Sequence, residues 1–173
     1  MPPLMLILAA STGKNLELAR SIESEAINQA MGCKVLDLCA LNLPLFQPAL
    51  KEQGPGESFK ELEQAMGQHH GLFVCAPEYN GSIPPSLTNA IAWLSVISPD
   101  FREMFNNRPV ALASHSGGGG QKVLQAMRQQ FSHLGCTVLG RELLATFQKP
   151  ANPETVKALL QGLKELESLK PQG

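Results

Sequence analysis

Residues 4–15 read Leu-Met-Leu-Ile-Leu-Ala-Ala-Ser-Thr-Gly-Lys-Asn, an unbroken apolar run that stops at a short polar loop containing a glycine. The run is too short to cross a membrane and no basic residue precedes it, so it reads as a buried strand and not as a signal sequence. Directly after the loop, Leu16, Ala19, Ile22, Ala26, Ile27 and Ala30 recur at intervals of three and four, the stripe of a helix packed on a sheet, and Gly32 is placed to end it. Buried strand, glycine-bearing turn and amphipathic helix in that order form the opening unit of a parallel α/β sheet.

The alternation continues along the chain. Residues 34–38 make a second, shorter strand, and residues 40–56, with three prolines and two glycines, are irregular. Phe59, Leu62 and Met66 mark a weak helix before a third strand at residues 71–76. Pro84 and Pro85 open the next helix, whose apolar side is Leu87, Ile91, Leu94 and Ile97. A fourth strand at residues 109–114 is followed by a helix carrying Val123, Met127, Phe131 and Leu134. A fifth strand begins at residues 137–139. Asn152 and Pro153 cap a last helix that puts Val156, Leu159, Leu160, Leu163, Leu166 and Leu169 on one face. The expectation is one domain over residues 1–173: a three-layer α/β sandwich whose five-stranded parallel sheet, order 2-1-3-4-5, has helices on both faces.

Composition agrees with that class. Apolar residues make up 43% of the 173 and charged ones only 17%, enough for a proper core. A formal charge of −1 supplies no basic field for nucleic acid and no acidic field for a carrier steered to a basic partner. Cys33, Cys39, Cys75 and Cys136 form no C-x-x-C pair and have no neighbouring histidine, which argues against a metal and for reduced thiols in the cytoplasm. No segment is long and apolar enough for a membrane span.

In a sheet of that order the ligand crevice lies at the carboxyl ends of strands one, three and four, where three unusual loops fall. In the first, Ser11, Thr12, Gly13, Lys14 and Asn15 offer backbone N–H groups, hydroxyls and a helix N-terminus suited to phosphate; an ordinary turn capped by Asn15 or Thr12 is the alternative. A Walker A loop is excluded, since Leu8 stands where its first glycine belongs and Asn15 where Ser or Thr belongs. In the second, Pro77, Glu78, Tyr79, Asn80 and Gly81 lead into Ser82-Ile83-Pro84-Pro85. Asn80-Gly81 tolerates positive φ, and the mixture of apolar surface with exposed backbone suits a flavin ring. In the third, Ser114, His115, Ser116, Gly117 and Gly118 head a run of four glycines whose amides could wrap a ring edge; a flexible linker is the alternative. Ser114-x-Ser116-x-Gly118 approximates a hydrolase elbow, but no aspartate follows Asp100 and no histidine suitable for a relay follows the loop.

Residues 77–95, PEYNGSIPPSLTNAIAWLS, closely resemble the signature of the NADPH-dependent FMN reductase family, and Asn42-Leu43-Pro44-Leu45-Phe46 resembles that family's loop after the second strand. The resemblance implies a flavodoxin-like fold, non-covalent FMN, NADPH or NADH as donor, a small-molecule acceptor, and a homodimer or dimer of dimers. By position it assigns Ser11, Lys14 and Asn15 to the phosphate, and Pro77, Glu78, Tyr79, Asn80 and Gly81 to the isoalloxazine and ribityl chain. Ser114, Ser116, Gly117 and Gly118 would border the ring edge, and the loop at Leu45 and Phe46 would lie near the partner's flavin. The first loop is shorter than the family's Gly-Ser-x-Arg-x-x-Ser pattern, and Thr88 and Ala92 stand where the following helix often carries lysine and aspartate. No side-chain acid or base is required, so no catalytic residue is expected. Arg102, Arg108 and Lys14 are the candidates to meet a 2′-phosphate, Trp93 is expected in the core or an interface, and His69-His70 on a solvated turn.

Overall fold

The computed structural model describes residues 5–168. Strands β1 (Met5–Ala9), β2 (Cys33–Asp37), β3 (Gly71–Cys75), β4 (Pro109–His115) and β5 (Thr137–Ala145) form one parallel sheet in the order β2-β1-β3-β4-β5. Helices α1 (Lys14–Asn28), α2 (Glu57–Gln68), α3 (Pro85–Leu94), α4 (Gln121–His133) and α5 (Pro153–Ser168) make the crossovers. The alternation of runs predicts the parallel sheet, and the order is the usual one expected for five doubly wound strands. Leu4 and Leu169, expected at the ends of the first strand and last helix, lie outside the described residues.

Successive strand side chains point to opposite faces, and the two cores divide accordingly. Leu6, Leu8, Leu72, Val74, Val110 and Leu112 join α2, α3 and α4 in one core; Met5, Ile7, Phe73, Cys75 and Ala111 join α1 and α5 in the other. This two-sided burial is why β1 and β3 read as continuous apolar runs instead of alternating ones. Each fully buried Leu, Ile or Phe contributes about 1.5–3 kcal/mol of transfer free energy, so the central strands anchor everything at their ends. In register, Ala9 lies beside Asp37 and Cys75, and Cys75 beside Ala113, so the loops after β1, β3 and β4 leave the sheet at one edge.

Two helix ends differ from the sequence reading. Helix α1 ends at Asn28, before Gly32: Ala30 takes the left-handed conformation (φ 54°) and the Met31 N–H reaches back to the Ala26 carbonyl at 2.9 Å. The same closure on α4 uses Gly135 (φ 90°), with the Cys136 N–H on the Phe131 carbonyl. Helix α3 stops at Leu94, so Ile97 lies beyond it and is partly exposed. Strand β5 begins at Thr137 as expected and runs to Ala145, with a register shift between Val110 and Leu112 of β4. Arg128 holds that irregular edge, donating to the Leu139 carbonyl at 2.8 Å and to Glu142.

Between β2 and α2 the chain is irregular apart from one 3-10 turn, Pro48–Leu50. It is nevertheless pinned. Asn89 Oδ1 accepts from the Phe46 N–H (2.7 Å), Asn89 Nδ2 donates to the Pro44 carbonyl, and Trp93 Nε1 donates to the same carbonyl at 2.7 Å. Trp93 is fully buried and meets Phe46 edge-on, leaving Leu45 projecting at 68% exposure.

Candidate functional site

At the carboxyl edge of the sheet, the last strand-like bond is Ala10 N–H to the Cys75 carbonyl, and the first helical bonds of α1 come from Leu16 and Glu17, both to the Gly13 carbonyl. The N–H groups of the five residues between, Ser11 to Asn15, donate to nothing in the described protein. Gly13 is the N-cap and supplies no side-chain cap, so neither Thr12 nor Asn15 plays the capping role of an ordinary turn. No atom lies within 4 Å of where a Cβ on Gly13 would sit. A row of unpaired amides at the positive end of a helix is a cradle for an anion.

Asn15 is instead a tie between loops. It is 1% exposed, its Nδ2 donates to the His115 carbonyl (3.0 Å) and its Oδ1 accepts from the His115 N–H (2.9 Å). Its side chain is therefore committed, and its backbone N–H is the donor it has left. Lys14 lies in the first turn with its ammonium 2.6 Å from Glu17.

The second loop closes on itself through Tyr79 and Ser82, each N–H donating to the other's carbonyl at 3.1 and 3.0 Å. Asn80 (φ 52°) and Gly81 (φ 73°) take the left-handed conformation that such a two-residue turn demands, as their sequence predicts. The N–H groups of Glu78, Asn80 and Gly81 donate to no acceptor in the described protein. Glu78 has a structural task that its place in the motif does not announce: Oε2 accepts from the N–H groups of Lys122 and Val123, capping α4, whose own N-cap is Gly120. Ser86 in turn donates to the Ala10 carbonyl at 2.6 Å, tying α3 to the first loop.

The third loop is folded, not a flexible linker. Gly119 (φ 112°) and Gly120 (φ 78°) require glycine, and a Cβ on Gly120 would lie 2.6 Å from Leu144 Cδ1 and 3.2 Å from Ser114 Oγ. Ser114 is fully buried beneath that turn, and Ser116, 5% exposed, accepts from the Gly118 N–H. Both hydroxyls are buried, so the elbow-like Ser114-x-Ser116-x-Gly118 pattern presents no accessible nucleophile. Gly117 sits under Phe147, whose ring meets His115 edge-on at 5.1 Å.

These loops enclose a cavity of about 300 Å³ lined by Ser11 to Asn15, Pro77, Tyr79, His115 and Gly117, together with Cys39 and Phe147. Glu78, Asn80, Gly81, Ser114, Ser116 and Gly118 do not line it. Among the described residues, Lys14 is its one charged wall. A second hollow of about 360 Å³, between α1 and the loop after β5, shares Lys14, His115 and Phe147 with it. Sequence reasoning missed Cys39 and Phe147; the loop bearing Phe147 has no unusual composition, and its 69% exposed ring is the signal only three dimensions supply.

Other candidates lie elsewhere. Arg108 is buried at the opposite edge of the sheet, donating to the carbonyls of Met66, His69, His70 and Met104, and desolvation holds its pKa below the usual range. Arg102 donates to the His133 carbonyl and covers the Phe101 ring. Of the three cations proposed for a 2′-phosphate, only Lys14 reaches the crevice. His69 is not on a solvated turn: it is 2% exposed, with Nδ1 2.7 Å from the Ala65 carbonyl. The cysteines are free; burial pushes the Cys75 thiol far up, and takes Cys136 up to about 12 against the opposing pull of Arg108. Among the described residues no group of His, Cys, Asp and Glu is placed to hold a metal, and no helix is long and apolar enough to cross a membrane.

Known proteins resemble the chain in both sequence and shape. The quinone reductase of Escherichia coli (strain K12) is 29% identical over 126 residues, a match that spans 70% of this chain and 65% of that enzyme. An oxidoreductase of Corynebacterium diphtheriae superposes with a TM-score of 0.72 at 18% identity, covering 98% of this chain and 97% of its own. A flavoenzyme NAD(P)H:(acceptor) oxidoreductase of Paracoccus denitrificans gives 0.71 at 17% identity, with 97% and 96% covered. These superpositions establish the flavodoxin-like fold. The family model for NADPH-dependent FMN reductase matches residues 3–150, a stretch that includes all three crevice loops, and with the fold and the amide cradle in place the chain belongs to that family.

Proposed function

We propose that the chain is an FMN-dependent NAD(P)H oxidoreductase that passes electrons to a small acceptor such as a quinone, an azo compound, free flavin or a metal oxyanion. The observation that carries the reading is the row of unpaired N–H groups from Ser11 to Asn15, which opens into a cavity whose only charge among the described residues is positive. A phosphate monoester fits that donor set, and Gly13 leaves it room. FMN, when bound, accepts a hydride from the nicotinamide and delivers electrons to the acceptor.

The protein's own part is to hold, to orient and to exclude water. Amides of the first loop and the dipole of α1 take the phosphate, while Pro77, Tyr79 and the Gly117 backbone supply apolar and peptide surface for the ring system. Tyr79, 49% exposed, and Phe147 stand on the rim, where they leave one side open to donor and acceptor in turn. The N–H group of Gly117, which lines the cavity, donates to no acceptor in the described protein and is available to oppose negative charge on a reduced ring. No acid or base is needed, and His115 has its backbone, not its ring, tied into the site.

We further infer a cytoplasmic homodimer or dimer of dimers. Support comes from Leu45, an exposed apolar side chain on a loop held rigid by Asn89 and Trp93, a combination suited to a subunit contact.

The test is an absorbance spectrum of protein reconstituted with FMN and desalted, followed by anaerobic addition of one equivalent of NADPH. Retained flavin bands that bleach support the reductase. Bands that stay yellow point to a carrier or sensor reduced by another protein, and loss of flavin on desalting counts against the cradle.

A further inference from the structure

We propose that Glu17 sets how tightly the cradle grips the flavin phosphate, by holding the single cation that lines the cavity; the inference rests on the FMN reading above. Lys14 and Glu17 are the first and fourth residues of α1, so their side chains share one face of its first turn. The ammonium is 2.6 Å from the carboxylate, with 49% and 66% of the two side chains exposed. Arg20, one turn on, is turned to Glu23 at 3.1 Å and offers no substitute cation. Two effects of Glu17 then have one sign. It neutralises the ammonium, and it places a negative charge at the helix end that the phosphate dianion would otherwise have to itself. A site so arranged binds the phosphate through backbone amides with almost no net charge behind them. It releases the flavin more readily than one with a free cation, as suits a flavin that leaves as product as well as one that stays.

Because the pair is exposed, removing either member leaves the fold intact. Glu17→Gln is expected to tighten FMN by about 3- to 10-fold at low ionic strength, a gain that shrinks toward nothing near 1 M salt, where the Debye length is about 3 Å. Riboflavin, which lacks the phosphate, should bind both proteins alike. Lys14→Gln should weaken FMN, and the double variant, which again has no net charge at the pair, should return to within about twofold of the unmodified protein. Quenching of flavin fluorescence on titration, in FMN and riboflavin series at several salt concentrations, reads all of this without turnover. Equal affinity of Glu17→Gln and the unmodified protein for FMN overturns the inference alone, as does equal tightening for riboflavin. An unmodified protein that binds no FMN at any salt overturns the FMN reading and this inference with it.

Discussion

Replacing Asn15 by leucine removes both hydrogen bonds that fasten the loop after β1 to the loop after β4. The side chain is 1% exposed, so water does not take its place, and the N–H and carbonyl of His115 both lose their partner. Each buried unsatisfied group costs about 1–3 kcal/mol, and His115 is only half-buried, which puts the pair near the lower end at about 2–3 kcal/mol. For 173 residues the entropy of unfolding is about 0.36 kcal/mol/K, so Tm should fall by about 6–8 °C. FMN affinity should drop as well, by about tenfold or more, because ordering even one loop residue at binding costs about 1–2 kcal/mol. Asn15→Asp refines the test. An ionised carboxylate accepts from the His115 N–H but faces the His115 carbonyl, whereas the protonated acid donates to that carbonyl and copies asparagine. The folded pKa of the aspartate is therefore raised. Its stability matches asparagine best below the unfolded value of about 3.9 and declines as pH rises through the folded one. Thermal melts by circular dichroism from pH 3.5 to 8, each variant compared with the parent at the same pH, and FMN titrations at pH 7 check both variants. Leucine and aspartate proteins that melt within about 1 °C of the parent at every pH, with unchanged FMN affinity, would refute the tie.

Glu78→Ala should cost about 1 kcal/mol by uncapping α4, and Glu78→Gln, which keeps an acceptor for the Lys122 and Val123 N–H groups, should cost less; chemical denaturation distinguishes the two. Ala30→Gly should stabilise by about 0.5–1 kcal/mol, because a left-handed residue closing a helix is strained with a Cβ, and a melt that moves down refutes that account. Thiol labelling at pH 8 should modify Cys39 first and be slowed by bound FMN. Cys136, held up to about 12, has about one part in ten thousand as thiolate and should react only on unfolding.

The strands were legible because burial on both faces writes them as apolar runs, their order followed from the usual arrangement of a doubly wound sheet, and the crevice was legible because turn-forming residues collect where strands 1, 3 and 4 end. What the sequence hid were pairings across distance. Nothing near Asn15 tells that its amide is used by His115, 100 residues on, and nothing near Glu78 tells that it caps a helix 44 residues away. Arg102 and Arg108 looked like free cations because charge is visible in sequence and carbonyl clusters are not. Ala30 was hidden for a simpler reason: alanine is a helix former, and only the chain's need to turn into β2 puts it in a conformation that favours glycine.

The hidden pairings share a direction. Asn15 ties the first loop to the third, Ser86 ties the first to α3, Glu78 ties the second to α4, and Asn89 with Trp93 ties the loop after β2 to α3. In each case a side chain supplies the restraint, and across the first loop no backbone N–H is consumed in doing so. Had that loop been held by backbone bonds, as turns usually are, its donors would be spent on structure. Side-chain restraint keeps the amides fixed in place and unpaired, so a phosphate meets donors that need no reordering. Under the proposed reading, this is how a cradle whose lysine is paired with Glu17 would receive a phosphate without the arginine often carried by the first loop of the family it resembles.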